Sequence, residues 1–325
     1  MTMRYIEISQ LEKPVSVIGL GAASRAFTPD TYDRAAELLE RFLAAGGNCV
    51  DTANIYGFGD SEKTLGKWIQ ESERRNELVL ITKGCHPGVN RDDIFGSPWI
   101  PRVTPEALHS DLSESLERLH TEYIDLYLLH RDDESVEVGP LIETLNQEQA
   151  RGRIRAFGAS NWRVERLAKA NQYAAEHGLN GFVISSPNLS LPHPKKMVFP
   201  GTLFADEATR QWHNTNQFPL LAWSALATGF MSGKFKPDEA TDENVTHIYY
   251  SDENFERLGR AQELAARKNV TVAQIGLAYV LQQAFPVIAL VGPTTPNNLD
   301  DALGAVNVKL NPEELEYLDL KANAQ

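Results

Sequence analysis

Eight short apolar runs alternate with amphipathic helical stretches along the 325 residues, and this alternation narrows the fold more than any other feature. The runs cover 15–21, 48–52, 78–82, 124–129, 154–159, 182–186, 220–224 and 287–291. Between them, apolar residues recur at spacings of three and four over 32–45, 61–72, 105–119, 138–151, 164–177, 206–214, 254–268 with 272–283, and 296–305. A last helix at 312–321 opens on Asn311 as N-cap and Pro312 in the first turn. Eight strand–helix units predict an α/β fold, the eight-stranded parallel (β/α)8 TIM barrel. A doubly wound open sheet would instead carry a glycine-rich dinucleotide fingerprint after its first strand. Here Gly19-Leu20-Gly21 runs into Ala22 and Ala23, and no third glycine or alanine opens a helix on schedule.

The length suits one barrel, which runs from about 200 to over 400 residues, so 1–325 reads as a single domain. The formal net charge of -13 sets the average surface against nucleic acid and anionic membranes. No run of about 18 apolar residues exists to span a bilayer, and the first fifteen residues lack an apolar signal core. Two cysteines, Cys49 and Cys85, are too few for a disulfide framework, so a reducing cytoplasm is expected. No Cys/His pair stands at metal-ligand spacing. Three loops, 84–104, 187–205 and 225–253, are longer than a connection needs and leave from the carboxyl ends of strands. That is the face on which barrels build active sites, so these loops are expected to wall a pocket.

Polar residues close several of the apolar runs. Asp51 ends the second, Lys83 follows the third, His130 follows the fourth, and Tyr56 lies a few residues beyond Asp51. Strand alternation puts Cys49 and Asp51 on one face, Val79, Ile81 and Lys83 on one face, and Ile124, Leu126, Leu128 and His130 on one face. If the apolar members point into the barrel, the polar members point into its mouth. Adjacent strands lie about 4.8 Å apart, so the three polar groups converge and Tyr56 can fold over them. A tyrosine is a poor acid near neutrality, but a lysine cation favours the phenolate. A carboxylate keeps the lysine charged, and a histidine can orient a carbonyl oxygen. This is equipment for protonating an alkoxide as hydride reaches carbon. Singly, each residue has a plainer role, as a structural histidine, an ion pair or a loop-capping tyrosine; their agreement in strand order and facing carries the reading.

With these residues in view, the chain resembles the aldo-keto reductase superfamily. "NCVDTANIYGFGDSEKTLGKWI", "LITKG" and "YIDLYLLHRDD" match its aspartate–tyrosine, lysine and histidine segments. "GRIRAFGASNW" is similar to the segment whose serine and asparagine hold the nicotinamide carboxamide, which implies those roles for Ser160 and Asn161. "PLLAWSALATGFMSGKF" resembles the pyrophosphate segment and implicates Trp223, Ser224, Leu226 and Gly229. "ALVGPTTPNNLDDAL" resembles the adenosine-phosphate segment and implicates Gly292, Thr294, Thr295 and Asn298. The resemblance runs from about residue 15 to residue 305. It implies reversible NAD(P)H-dependent reduction of an aldehyde or ketone, with Tyr56 as proton donor, Lys83 and Asp51 tuning it, and His130 orienting the carbonyl.

Two departures stand out. Where many members carry a glutamine and a nicotinamide-stacking aromatic on the sixth strand, this chain aligns Ser186 and Leu189, and leucine has no π face. The adenosine-phosphate segment has no lysine or arginine, and Asp300 and Asp301 follow it. NADP(H) is the expected cofactor, with weakened discrimination that leaves NAD(H) or dual use open.

Arg25, Phe27, His86, Trp99 and Arg131 are expected around the substrate, with Trp162, Arg163 and Asp132 near the mouth; aromatic platforms and cationic donors suit a sugar-like carbonyl. The charge run 131–134 reads as a solvated approach to the next helix, and the basic, proline-rich stretch 192–201 as a loop crossing the pocket. The alternatives are a nicotinamide-binding regulatory subunit with slow turnover and a barrel lyase forming an imine on Lys83.

Overall fold

A computed structural model describes residues 2–90, 99–197 and 199–321. Two short strands, β1 (Tyr5–Ile6) and β2 (Val15–Ser16), pair antiparallel as a hairpin. Eight more strands follow: β3 (Ile18–Gly21), β4 (Cys49–Asp51), β5 (Val79–Gly84), β6 (Ile124–Leu129), β7 (Ile154–Ser160), β8 (Ser185–Ser186), β9 (Leu220–Ala222) and β10 (Val287–Val291). They close into an all-parallel barrel in the order β10-β3-β4-β5-β6-β7-β8-β9, so the eight-stranded barrel is present.

The outer layer is helical. The first barrel helix, Tyr32–Ala44, buries Ala35, Leu38, Leu39 and Phe42, one stripe at three-to-four spacing, against the sheet. Side-chain caps start several helices. Thr104 accepts from the Ala107 amide ahead of Pro105–Arg118, and Thr271 with Gln274 forms a reciprocal box ahead of Val272–Leu281.

Strand alternation sorts the apolar residues into two cores. Tyr127, Leu129 and Phe157 face the helices. Cys49, Val79, Ile81, Leu126, Leu128, Ala156, Leu221, Ile288 and Leu290 fill the barrel interior. Ile124, expected on the interior face, packs with the helix-side core instead.

Several boundaries differ from the sequence reading. The first run divides, because residues 15–16 pair with β1 while only Ile18–Gly21 joins the barrel. Ile8 and Val15 of the hairpin belong to the interior core, with Ile6 and Leu11 packed on it, so the hairpin stoppers the amino end of the barrel. Lys13 Nζ ties it to the rim through the Leu78 carbonyl at 2.9 Å. The sixth run contributes only Ser185–Ser186. It nonetheless approaches β7 so closely that a Cβ on Gly158 would lie 2.4 Å from the Ile184 carbonyl oxygen, so only glycine fits there. The loop 225–253 is not structureless: it holds a 3-10 segment, Ala227–Ser232, and a helix, Glu243–Tyr249.

Candidate active site

Strand β5 extends through Lys83, whose side chain continues the interior row of Val79 and Ile81 at the carboxyl end of the barrel. Its side chain is 2 % exposed. It donates to Asp51 Oδ1 and Oδ2 at 2.6 and 2.7 Å, to the Thr52 carbonyl at 2.9 Å and to Tyr56 Oη at 3.3 Å. Burial pushes the Asp51 carboxyl up while Lys83 pulls it back. Burial alone would lower Lys83, but Asp51 and Tyr56 outweigh it and hold the amine above its ordinary range. The proton of the pair therefore stays on nitrogen, which removes the lone pair that imine chemistry at Lys83 would need.

Tyr56 opens the short 3-10 turn Tyr56–Gly59 and is half-buried. Its ring meets His130 edge-on at 5.6 Å between centroids. His130 meets His86 at 4.9 Å, His86 meets Trp99 at 5.2 Å, and Trp99 meets Phe199 at 5.9 Å. Rings from four loops thus form one wall running from the phenol. The His86 Nδ1 lies 2.9 Å from the Pro87 carbonyl oxygen, so this nitrogen carries the proton. Burial, then the charge of Arg131 and the neighbours His86 and Lys83, holds His130 well below the ordinary histidine range. It is a neutral imidazole near pH 7, suited to hydrogen bonding with a carbonyl rather than to carrying charge.

Burial, with the charge of Arg131, also pushes His86 down to about 4, and burial holds His193 at about 4. An unfolded histidine takes up its proton near pH 6.5. Between those values the unfolded chain binds more protons than the folded one, so stability is full above about pH 6.5 and is lost as pH falls towards 4. Urea-unfolding midpoints are expected to be lower at pH 5 than at pH 7; equal midpoints would contradict these burials.

The remaining expected residues fall into separate regions. Ser160 Oγ donates to the Ser186 carbonyl at 2.8 Å, and Ser186 Oγ donates to the Leu221 carbonyl at 2.9 Å. Asn161, in a left-handed conformation at φ 62°, donates from Nδ2 to Ser160 Oγ at 3.0 Å and to the His130 carbonyl at 3.3 Å. Its Oδ1 accepts from the Leu203 amide at 3.1 Å and Trp223 Nε1 at 3.2 Å.

Leu189 is fully buried in the helix-side core and offers nothing to stack on. A half-buried ring just past β9, Trp223, rests on the interior core. Phe27 is likewise corrected: it is 1 % exposed within the helix-side core and does not reach the ring wall. Arg25 is exposed and lines a groove with Thr294, Thr295, Tyr32 and Lys67, apart from that wall. Trp162 packs edge-on against Phe182 in the core. The run 131–134 is solvated only at its far end: Arg131 is buried and Asp132 is paired with Arg166 at 3.1 Å in a nearly buried contact, while Glu134 is exposed.

The residues present fit a nicotinamide dinucleotide. Ser224, Ala227, Thr228 and Gly229 all have positive φ, and Gly229 at φ 88° has open space where a Cβ would stand. Left-handed turns of this kind present backbone amides as anion-binding concavities. Thr295 caps the helix Pro296–Gly304, accepting from the Asn298 amide at 3.2 Å; Thr294 Oγ1 lies 3.3 Å from Asn298 Oδ1. Gly292, Thr294, Thr295 and Asn298 are exposed there. Asp300, which would oppose a phosphate, is taken up by a two-pronged ion pair with Arg41 from the first barrel helix. Asp301 accepts from Thr271 Oγ1 at 2.7 Å. Among the described residues no group of three His, Cys, Asp or Glu could hold a metal, and no helix is long and apolar enough to cross a membrane.

The profile of the Aldo/keto reductase family matches residues 17–323. A norsolorinic acid reductase of Emericella nidulans is 30 % identical over 309 residues, covering 92 % of this chain and 74 % of the relative. An aryl-alcohol dehydrogenase of Pestalotiopsis microspora is 28 % identical, covering 89 % and 72 %. Norsolorinic acid reductase B of Aspergillus parasiticus is 28 % identical, covering 97 % and 83 %.

Proposed function

The chain belongs to the Aldo/keto reductase family, and from that premise we propose that it reversibly reduces an aryl aldehyde or ketone to the alcohol, using NADP(H) in preference to NAD(H). The observation that carries the reading is the contact of Tyr56 Oη with the paired Lys83 ammonium at 3.3 Å, beside a neutral His130. The bound nicotinamide supplies the hydride. Tyr56 delivers the proton to the carbonyl oxygen, and Lys83 stabilises the phenolate left behind. Asp51 fixes the ammonium in place. His130 hydrogen-bonds the same oxygen and orients it. The rings of His86, Trp99 and Phe199 exclude water and favour a planar substrate over a polyhydroxylated sugar. Relatives named for aryl-alcohol oxidation support the same choice.

Ser160, Asn161 and Ser186 would hold the carboxamide end, exchanging internal hydrogen bonds for those of the ligand. Trp223 would stack on the ring, Ser224, Leu226 and Gly229 would cradle the pyrophosphate, and Gly292, Thr294, Thr295 and Asn298, with Arg25 nearby, the adenosine phosphate. The pairing of Asp300 with Arg41 removes a repulsive charge and supports NADP(H). Cys49 and Cys85 are free and buried, in keeping with a reducing cytoplasm.

Loss of reduced-nicotinamide absorbance with a panel of benzaldehydes and aryl ketones tests the reaction; no turnover with any of them would end this reading. Dissociation constants should be lower for NADPH than for NADH, and a strong NADH preference would refute the cofactor choice. Trp223→Ala is expected to weaken cofactor binding roughly 3- to 10-fold, the range of one aromatic stacking contact.

A further inference from the structure

A cation sits beside the ring wall with no anion to match it. Arg131 follows His130 directly and is 6 % exposed. Its Nη1 donates to the His130 carbonyl at 2.8 Å, and its buried Nε has no hydrogen-bond partner. Among the described residues no carboxylate lies within 4.0 Å of the guanidinium, while nearby cations are matched: Arg166 by Asp132 and Arg102 by Asp111. The position is enforced. Trp162 Nε1 anchors the Arg131 carbonyl at 3.0 Å, and the side chain passes close to Gly201, where a Cβ would lie 3.6 Å from Arg131 Cδ. Its charge bears on both His86 and His130. Burial pulls its own pKa down to about 10, which leaves it charged near neutrality.

A buried guanidinium without a counter-charge is costly to keep unless it meets an anion during function. We propose that Arg131 recognises an anionic oxygen on the substrate, a carboxylate or an ionised phenol carried by the aryl carbonyl compound. This rests on the reductase reading above and narrows its substrate class. The guanidinium fork suits a carboxylate through two donors and a phenolate through one. It stands beside His130, so it would select and orient substrates by their second polar group while taking no part in proton transfer.

The test compares matched pairs on the full chain with NADPH: 3- and 4-carboxybenzaldehyde against their methyl esters, and 4-hydroxybenzaldehyde against 4-methoxybenzaldehyde. At least one pair is expected to favour the anion about 10- to 100-fold in kcat/KM, the range of a charge-assisted hydrogen bond. The pair that does so tells carboxylate from phenolate. Arg131→Gln should bring that ratio close to one, and Arg131→Lys should keep part of it. A general folding defect lowers both members of a pair and leaves the ratio unchanged. A second readout is binding of benzoate against benzamide, followed by tryptophan fluorescence. Tighter benzoate binding that Arg131→Gln abolishes supports the proposal even where no aldehyde turns over, an outcome that would sink only the reductase reading. Equal ratios in the wild type, or a preference that survives Arg131→Gln, would overturn it.

Discussion

Replacing Tyr56 with phenylalanine is expected to lower kcat by at least about 100-fold, the low end of what a positioned general acid contributes. The variant removes one oxygen, the atom 3.3 Å from Lys83 Nζ, and leaves the ring against His130. The side chain is half-buried, so the truncation opens no large cavity. The loss should fall on the chemical step: the dissociation constant for NADPH, by fluorescence titration, should move little, while single-turnover oxidation of bound NADPH slows by the full factor. Turnover retained within about threefold of wild type would remove Tyr56 from proton transfer.

Lys83→Met is expected to cost about 3–5 kcal/mol of stability, because it strands Asp51 as a buried carboxylate without its cation. Both partners are nearly inaccessible, at 2 % and 3 % side-chain exposure, so solvent cannot make good the loss. Asp51→Asn should cost less, since an amide still accepts from the ammonium. The double variant Lys83→Met/Asp51→Leu should regain much of the stability, an apolar pair being tolerated where a lone charge is not. Activity should be lost in Lys83→Met and in the double variant. Urea-unfolding midpoints across the three variants check the ordering; a double variant as unstable as Lys83→Met would show that strain, rather than an orphaned charge, sets the cost.

The convergence of Asp51, Tyr56, Lys83 and His130 was legible because period-two alternation is local. Once Val79, Ile81 and Lys83 share a face, only the barrel is needed to bring Lys83 to Asp51. Phe27 and Trp162 misled because an aromatic just past a strand can turn to the mouth or to the helix layer, and sequence spacing does not say which. Leu189 turns into the helix-side core while Trp223, just past the following strand, rests on the interior core, and nothing in the sequence near Leu189 signals that difference. The Arg41–Asp300 pair joins the first and last barrel helices, which are neighbours only once the barrel closes. The charge run at 131–134 looks solvated in sequence for a related reason: Arg166, which claims the Asp132 carboxylate, lies thirty-four residues beyond it.

The hairpin formed by β1 and β2 lays Ile8 and Val15 against an interior already filled by side chains, so the far end of the barrel stays dry and apolar. Water and solutes meet the buried Lys83–Asp51 pair only from the side of the carboxyl-end loops, and the residues farthest along the axis from that pair help keep its surroundings of low polarity.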